Sequence, residues 1–194
     1  MVKDFIKAFR SSFEGVQSFE DGQSRALWTN DPIVRTSTMQ SYIYPKLADT
    51  LGKYLVCELP TDAAFFERSA IECAGKNGLA YPTPSKAVLC LEHENNAATS
   101  LHEMEQLSKT GAALNVLVTY LHATVDQQIA WANTNFTSIL QNSRDQKGDF
   151  LVVLPGKEQD NRWMISTKNP WTDSDLWRFF LWNKQSLEFY PQQV

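Results

Sequence analysis

Long hydrophobic runs are missing from this sequence. The longest, such as residues 87–91 and 150–154, stop at about five residues, far short of the ~18 that a bilayer span needs, so no membrane span is expected. At the N-terminus Lys3, Asp4 and Lys7 interrupt the apolar residues and leave no continuous hydrophobic region of the secretory-signal kind. The cytoplasm is the compartment this predicts. Cysteine is scarce as well. Cys57, Cys73 and Cys90 form no close-spaced pair, which excludes a disulfide framework or a zinc knuckle and makes buried thiols the expectation. Positive charge is in deficit, with 18 Lys and Arg against 22 Asp and Glu and a net charge of -4, so a general polyanion binder with a basic arm is excluded. Any nucleic-acid role then requires a local basic patch or a metal ion. There is also no Gly-rich phosphate loop, no nucleophile elbow around Ser69 or Ser100, no internal repeat and no low-complexity segment.

What is present suffices for one core. A chain of 194 residues, 43% of them hydrophobic and 12% aromatic, argues against disorder and for a single domain over residues 1–194. Val2, Phe5, Ile6, Phe9, Phe13 and Val16 recur at spacings of three and four and predict an N-terminal amphipathic helix over residues 2–16. Residues 18–38, broken by Asp21-Gly22 and Asn30-Asp31-Pro32, read as an ordered loop carrying Trp28 and Ile33. A second helix is expected over residues 39–54, kinked or split at Pro45.

The middle of the chain changes period. Residues 63–73 and 86–94 are β-prone and separated by turn-forming Gly, Asn and Pro, which predicts two strands paired as a hairpin. A helix over residues 99–109, stopped by Gly111, leads to an almost continuous apolar run at 115–121, as in a strand covered on both faces and reached by a crossover. Another helix is expected over residues 124–140, then strands at 149–154 and 162–166 joined by a turn at Pro155-Gly156. The spacing of Leu176, Trp177, Phe180, Leu181 and Leu187 predicts a final aromatic helix over residues 172–190, with Thr172 and Asp175 as its capping box and Trp171 and Leu176 as its staple. The predicted fold is α/β, a mixed sheet of about five strands flanked by helices.

The strongest chemical signal lies in residues 87–96, an apolar strand that ends in acids. Alternate strand residues share a face, so Glu92 and Glu94 project together while Leu91 and His93 point the other way. Two carboxylates about 7 Å apart repel unless a cation or a proton neutralises them, and a hard divalent ion such as magnesium or manganese suits that need. The plainer reading is a strand end entering solvent.

An acid-bearing strand, a loop, a second strand ending in Glu92-His93-Glu94, a helix and a buried apolar strand follow one another over residues 39–121. This order resembles the core of the restriction-endonuclease-like superfamily, the PD-(D/E)XK nucleases. The resemblance implies a restriction-endonuclease-like core and a magnesium- or manganese-dependent endonuclease acting on phosphodiester bonds of DNA or RNA. It also implies that an acid on the first strand and the outer positions of the (D/E)XK triplet bind metal and activate water. Glu92 then stands at the metal-binding acid, and Glu94 where lysine is usual, a substitution that some restriction enzymes of the superfamily share. For the first-strand acid the sequence offers Glu72, Glu67 and Asp62, with Glu72 preferred because it lies near the end of its predicted strand; Glu58 could supply a further acid. The expected catalytic and metal-binding set is therefore Glu72, Glu92 and Glu94.

Other constellations carry less. His102-Glu103 lacks the second histidine of a zinc-protease helix because position 106 is Gln106. His93 is expected to make structural hydrogen bonds, and His122 to face solvent. Trp163, Trp171, Trp177, Phe179, Phe180 and Trp182, near Arg162, Lys168, Arg178 and Lys184, could stack bases but fit core or dimer packing better. The alternative function is a catalytically inactive nuclease-fold protein that binds a protein partner or a second copy of itself.

Overall fold

The computed structural model describes residues 1–13, 31–57, 61–121, 123–142, 148–155 and 177–192. Helix α1 (Val2–Ser12) follows the predicted stripe: Phe5, Ile6 and Phe9 are fully buried, and Phe13 closes the row just past its end. Val16 lies outside the described residues.

The expected loop over 18–38 ends in a helix instead. Asp31 accepts the Ile33 N–H at 2.8 Å and caps helix α2 (Pro32–Thr38), with Pro32 in the first turn, where its missing N–H has no intrahelical partner to lose. Trp28 lies outside the described residues. A π-turn (Met39–Ile43) joins α2 to helix α3 (Tyr44–Leu51), and within it the Tyr44 N–H donates to the Met39 carbonyl. Pro45 has no N–H to give the preceding turn, and the wider turn carries the chain past that gap. Gly52 at φ 63° then stops α3 short of Tyr54, which begins a strand.

That strand, β1 (Tyr54–Cys57), pairs antiparallel with β2 (Ala63–Phe66). The strand expected over 63–73 is thus only four residues long, because the chain turns at Glu67 into helix α4 (Arg68–Lys76). Ala70, Ile71 and Ala74 give that helix a small apolar side, and Arg68 pairs with Glu72 one turn on at 3.1 Å. After a short 3-10 turn (Pro84–Lys86) come β3 (Leu89–Glu94), helix α5 (Ser100–Thr110), β4 (Leu114–Thr119), helix α6 (Val125–Asn142) and β5 (Asp149–Pro155). Gly111 at φ 72° ends α5, as expected. β2 and β3 do pair antiparallel, but with a helix rather than a simple loop between them.

The C-terminal helix expected over 172–190 is replaced by two strands, β6 (Trp177–Asn183) and β7 (Glu188–Pro191). Trp177 and Phe179 pack with α1 on one side of the sheet, while Phe180 and Trp182 pack with α6 on the other. Alternation satisfies burial on both faces, whereas a helix would serve only one, and a continuous apolar run fits either period in sequence. Asn183 makes the turn, its side chain accepting the Gln185 N–H at 2.8 Å. Residues 162–166 and 171–176, with Trp163, Trp171 and the capping pair Thr172 and Asp175, lie outside the described residues, as do Glu58, His122, Gly156 and Lys168.

Among the described residues one sheet results, in the order β1-β2-β3-β4-β5-β6-β7, seven strands rather than about five. Its centre, β3-β4-β5, is parallel, and both flanks are antiparallel. Every residue of β4 is buried. On one face α1 and the α2–α3 rod cover Leu89, Leu91, Val116, Val118, Leu151 and Val153; on the other α5 and α6 cover Cys90, Leu117, Phe150 and Val152. The thiols are not uniformly buried: Cys90 is, Cys57 is half-buried and Cys73 on α4 is exposed. Among the described residues no helix is long and apolar enough to cross a membrane.

Candidate functional site: an acid cluster at the end of β3

The parallel strands β3 and β4 end side by side, with Glu92 in register with Leu117, His93 with Val118 and Glu94 with Thr119. The chain then turns into α5 through an Asn96 turn. The Glu94 carboxylate accepts the Asn96 N–H at 2.8 Å, the Asn96 side chain accepts the Ala98 N–H at 3.0 Å, and the Ser100 hydroxyl donates to Thr119 at 2.9 Å. Ser100 is therefore a buried brace of the turn, away from any nucleophile geometry.

Asp62 reaches the same place from the antiparallel side. Ala63 pairs with Leu91, so Asp62, one residue earlier, comes to lie opposite Glu92. The Asp62 N–H donates to Glu92 Oε2 at 3.2 Å, and the His93 N–H donates to Asp62 Oδ2 at 2.8 Å. Glu92 is buried, only 5% exposed. Burial and the neighbouring Asp62 carboxyl push its pKa up to about 8, and the Asp62 N–H only partly offsets this. Glu103, in the first turn of α5, faces the same cluster; its pKa is raised by burial and by Glu94 and Asp62, with His102 opposing. Tyr44 approaches from the α3 side, and burial, with Asp62 behind it, holds its phenol well above the usual range.

His93 points to the other face, as the alternation requires. Its Nε2 lies 2.8 Å from the Tyr120 hydroxyl and its ring stands edge-on to the Tyr120 ring, while its buried Nδ1 has no hydrogen-bond partner among the described residues. Burial and the Arg35 charge drive its pKa down to about 3, so it is a neutral imidazole. The Arg35 guanidinium lies 4.9 Å over the Tyr120 ring and its Nε donates to Asn95 Oδ1 at 2.7 Å, which ties α2 to the β3–α5 turn.

Of the acids expected at the site, Glu92 and Glu94 lie at one strand end on one face, and Asp62 is the member of the first-strand trio that meets them. Glu72 is corrected: it sits on α4, exposed, with its carboxylate engaged by Arg68. Glu67 lies at the start of that helix and pairs with Lys53 at 2.6 Å. Tyr44 and Arg35 had no role in the sequence reading, and Glu103 entered it only through the rejected zinc-protease pattern at His102-Glu103. Only the position of Glu103 in a first helical turn, where acids suit the dipole, marks it in sequence.

Among the described residues no three His, Cys, Asp or Glu side chains are gathered in position to hold a metal ion. Asp62 and Glu92 do offer paired oxygens of the hard kind, and magnesium commonly uses only one or two carboxylates, completing its shell with water and phosphate. The donor pair fits such an ion. No family model, curated protein or solved structure matches the chain.

Proposed function

We propose that the chain is a metal-dependent phosphodiester hydrolase acting on nucleic acid, with a restriction-endonuclease-like core in which Asp62 and Glu92 would hold magnesium or manganese beside Glu94. What supports the reading is the Asp62–Glu92 clasp: two carboxyl groups brought together at strand ends, one of them buried, an arrangement that is costly unless a proton or a cation is shared. The order around it agrees, an antiparallel β1-β2-β3 followed by α5 and the parallel β4. When bound, the ion would polarise the phosphate and lower the pKa of an attacking water. Asp62 is oriented for this by the His93 N–H, and Glu92 by the Asp62 N–H. Glu94, half-buried and steadied by the Asn96 N–H, is placed to take a proton from water in the position where lysine is usual.

Calorimetric titration with manganese tests the reading. Binding that Glu92→Gln abolishes, together with manganese-dependent cleavage of DNA or RNA that the same variant lacks, is the expected result; no binding at millimolar metal overturns it.

A second reading, a nuclease-fold protein that binds a partner without catalysis, is favoured by three observations. The triplet carries Glu94 in place of lysine, one Glu94 oxygen is engaged by the turn, and the chain's charge is -4, which leaves substrate phosphates weakly attracted. Trp177, Phe179, Phe180 and Trp182 do not supply its docking surface, because all four are core residues.

A further inference from the structure

We propose that the outer edge of β1 is a dimerisation strand, along which two copies of the chain join antiparallel into one continuous sheet with Leu55 on the dyad. This assembly does not depend on the hydrolase reading. The Val88 N–H donates to the Phe65 carbonyl at 2.8 Å, so the main-chain groups of Phe65 face β3. Those of its neighbours Ala64 and Phe66 therefore face β1, where they meet Val56 and Tyr54. Leu55, between the two, turns its N–H and C=O away from β2. Among the described residues nothing pairs with these two groups, and β1 has no neighbouring strand on that side. A row of main-chain donors and acceptors at a sheet edge is a template for another strand.

The two edges of the sheet differ. On β7 the Phe189 N–H donates to Asn133 Oδ1 of α6 at 2.8 Å, Pro191 has no N–H and Glu188 is charged, and each of these keeps a further strand away. β1 reads Tyr54-Leu55-Val56-Cys57, with no charge and no proline. An extended strand is what such an edge accepts, and β1 is its own complement. With Leu55 opposite Leu55 of the second copy, two main-chain hydrogen bonds cross the dyad. Tyr54 then lies opposite Val56 of the second copy on the same face, an aromatic and β-branched pair that covers a ring 44% exposed in the single chain. The two Lys53 side chains fall at opposite ends of the paired segment, so no like charges meet. The acid clusters, at the ends of β2 and β3, would stand on one face of the joined sheet, one on each side of the dyad.

The test is sedimentation velocity of the whole chain. A short edge buries little area, so a monomer passing to a dimer between about 5 and 200 µM is expected. Leu55→Pro removes a donor that β2 does not use, and Tyr54→Lys sets a charge over Val56 of the second copy; each is expected to weaken association at least about tenfold. Tyr54 is exposed, so its variant stays folded even if Leu55→Pro does not, and urea unfolding checks both. Tyr190→Lys, on the opposite edge, is expected to leave the dissociation constant within about twofold of the wild type. A wild type that remains monomeric to about 200 µM, a dimer that survives in either folded variant, or a dimer that Tyr190→Lys disrupts overturns the proposal. None of these outcomes bears on metal binding, which manganese calorimetry reads separately.

Discussion

Asp62 and Glu92 hold one another across the β2–β3 pair, the Asp62 N–H on Glu92 Oε2 at 3.2 Å and the Asp62 carboxylate on the next backbone N–H, that of His93, at 2.8 Å. The backbone thus fixes two acids that their charges would drive apart. On the opposite side of the same strand His93 is held neutral, so one short segment contains two groups whose protonation is set by burial in opposite senses.

This produces a stability profile with a calculable shape. Glu92 titrates near 8 in the folded chain against 4.5 unfolded, so the folded state holds an extra proton between those values and stability falls as pH rises through that window. His93 titrates near 3 against 6.5, so the unfolded state holds the extra proton and stability falls as pH drops below 6.5. Where the windows overlap the slopes oppose. Urea unfolding in metal-free buffer is expected to show a plateau between about pH 4.5 and 6.5, falling on both sides, and Glu92→Gln is expected to remove the alkaline fall. A wild-type profile that rises from pH 6.5 to 8 contradicts the assignment of Glu92.

Asp62 and Glu72 should separate cleanly. Asp62→Asn is expected to weaken manganese binding at least about tenfold by calorimetry, since a hard cation loses a charged ligand. Glu72→Gln removes an exposed pair with Arg68, and is expected to leave metal binding unchanged and to shift stability by less than about 0.5 kcal/mol.

Gly148 has no room for a side chain. A Cβ there would lie 2.0 Å from the Ala112 carbonyl oxygen and 2.9 Å from the Asn115 amide nitrogen, and the Asn115 side chain is itself held by Thr110 at 2.6 Å. Gly148→Ala is expected to cost more than about 2 kcal/mol in urea unfolding, because backbone rather than a flexible side chain must yield.

The β6–β7 pair is core structure. Trp182 is buried against Phe189 with ring centroids 5.2 Å apart, so Trp182→Ala is expected to cost about 3–5 kcal/mol, and deletion of residues 177–192 to leave an insoluble chain. A deletion variant that unfolds cooperatively in urea would show instead that the five remaining strands suffice.

Much of the central architecture was legible because each element had one reading. The stripe of Phe5, Ile6 and Phe9 fits only a helix, and the 115–121 run between two helical patterns fits only a buried strand. Legibility failed where two periods coincide. Trp177, Phe180 and Leu181 stand at helical spacing, yet the residue between them, Phe179, is equally apolar, and burial on both faces settles the matter in favour of a strand. The acid pair was half legible. Alternation alone puts Glu92 and Glu94 together, but which upstream acid joins them depends on β2–β3 register, and that is set by pairing across 30 residues rather than by local pattern.

Among the described residues the order of strands in space is the order of strands along the chain, with no later strand slotted between two earlier ones. Assembly can therefore proceed by growth at one edge: each hairpin or helix-linked strand docks onto a rim that already exists, and no ladder has to open to admit a latecomer. The entropic cost of closing each new pairing is confined to the loop or helix just synthesised. A ribosome releasing this chain would offer the acid-bearing β2–β3 pair its partners before β5, β6 or β7 had emerged, so the chemistry-bearing end of the sheet can form first and the aromatic end can be laid against it afterwards.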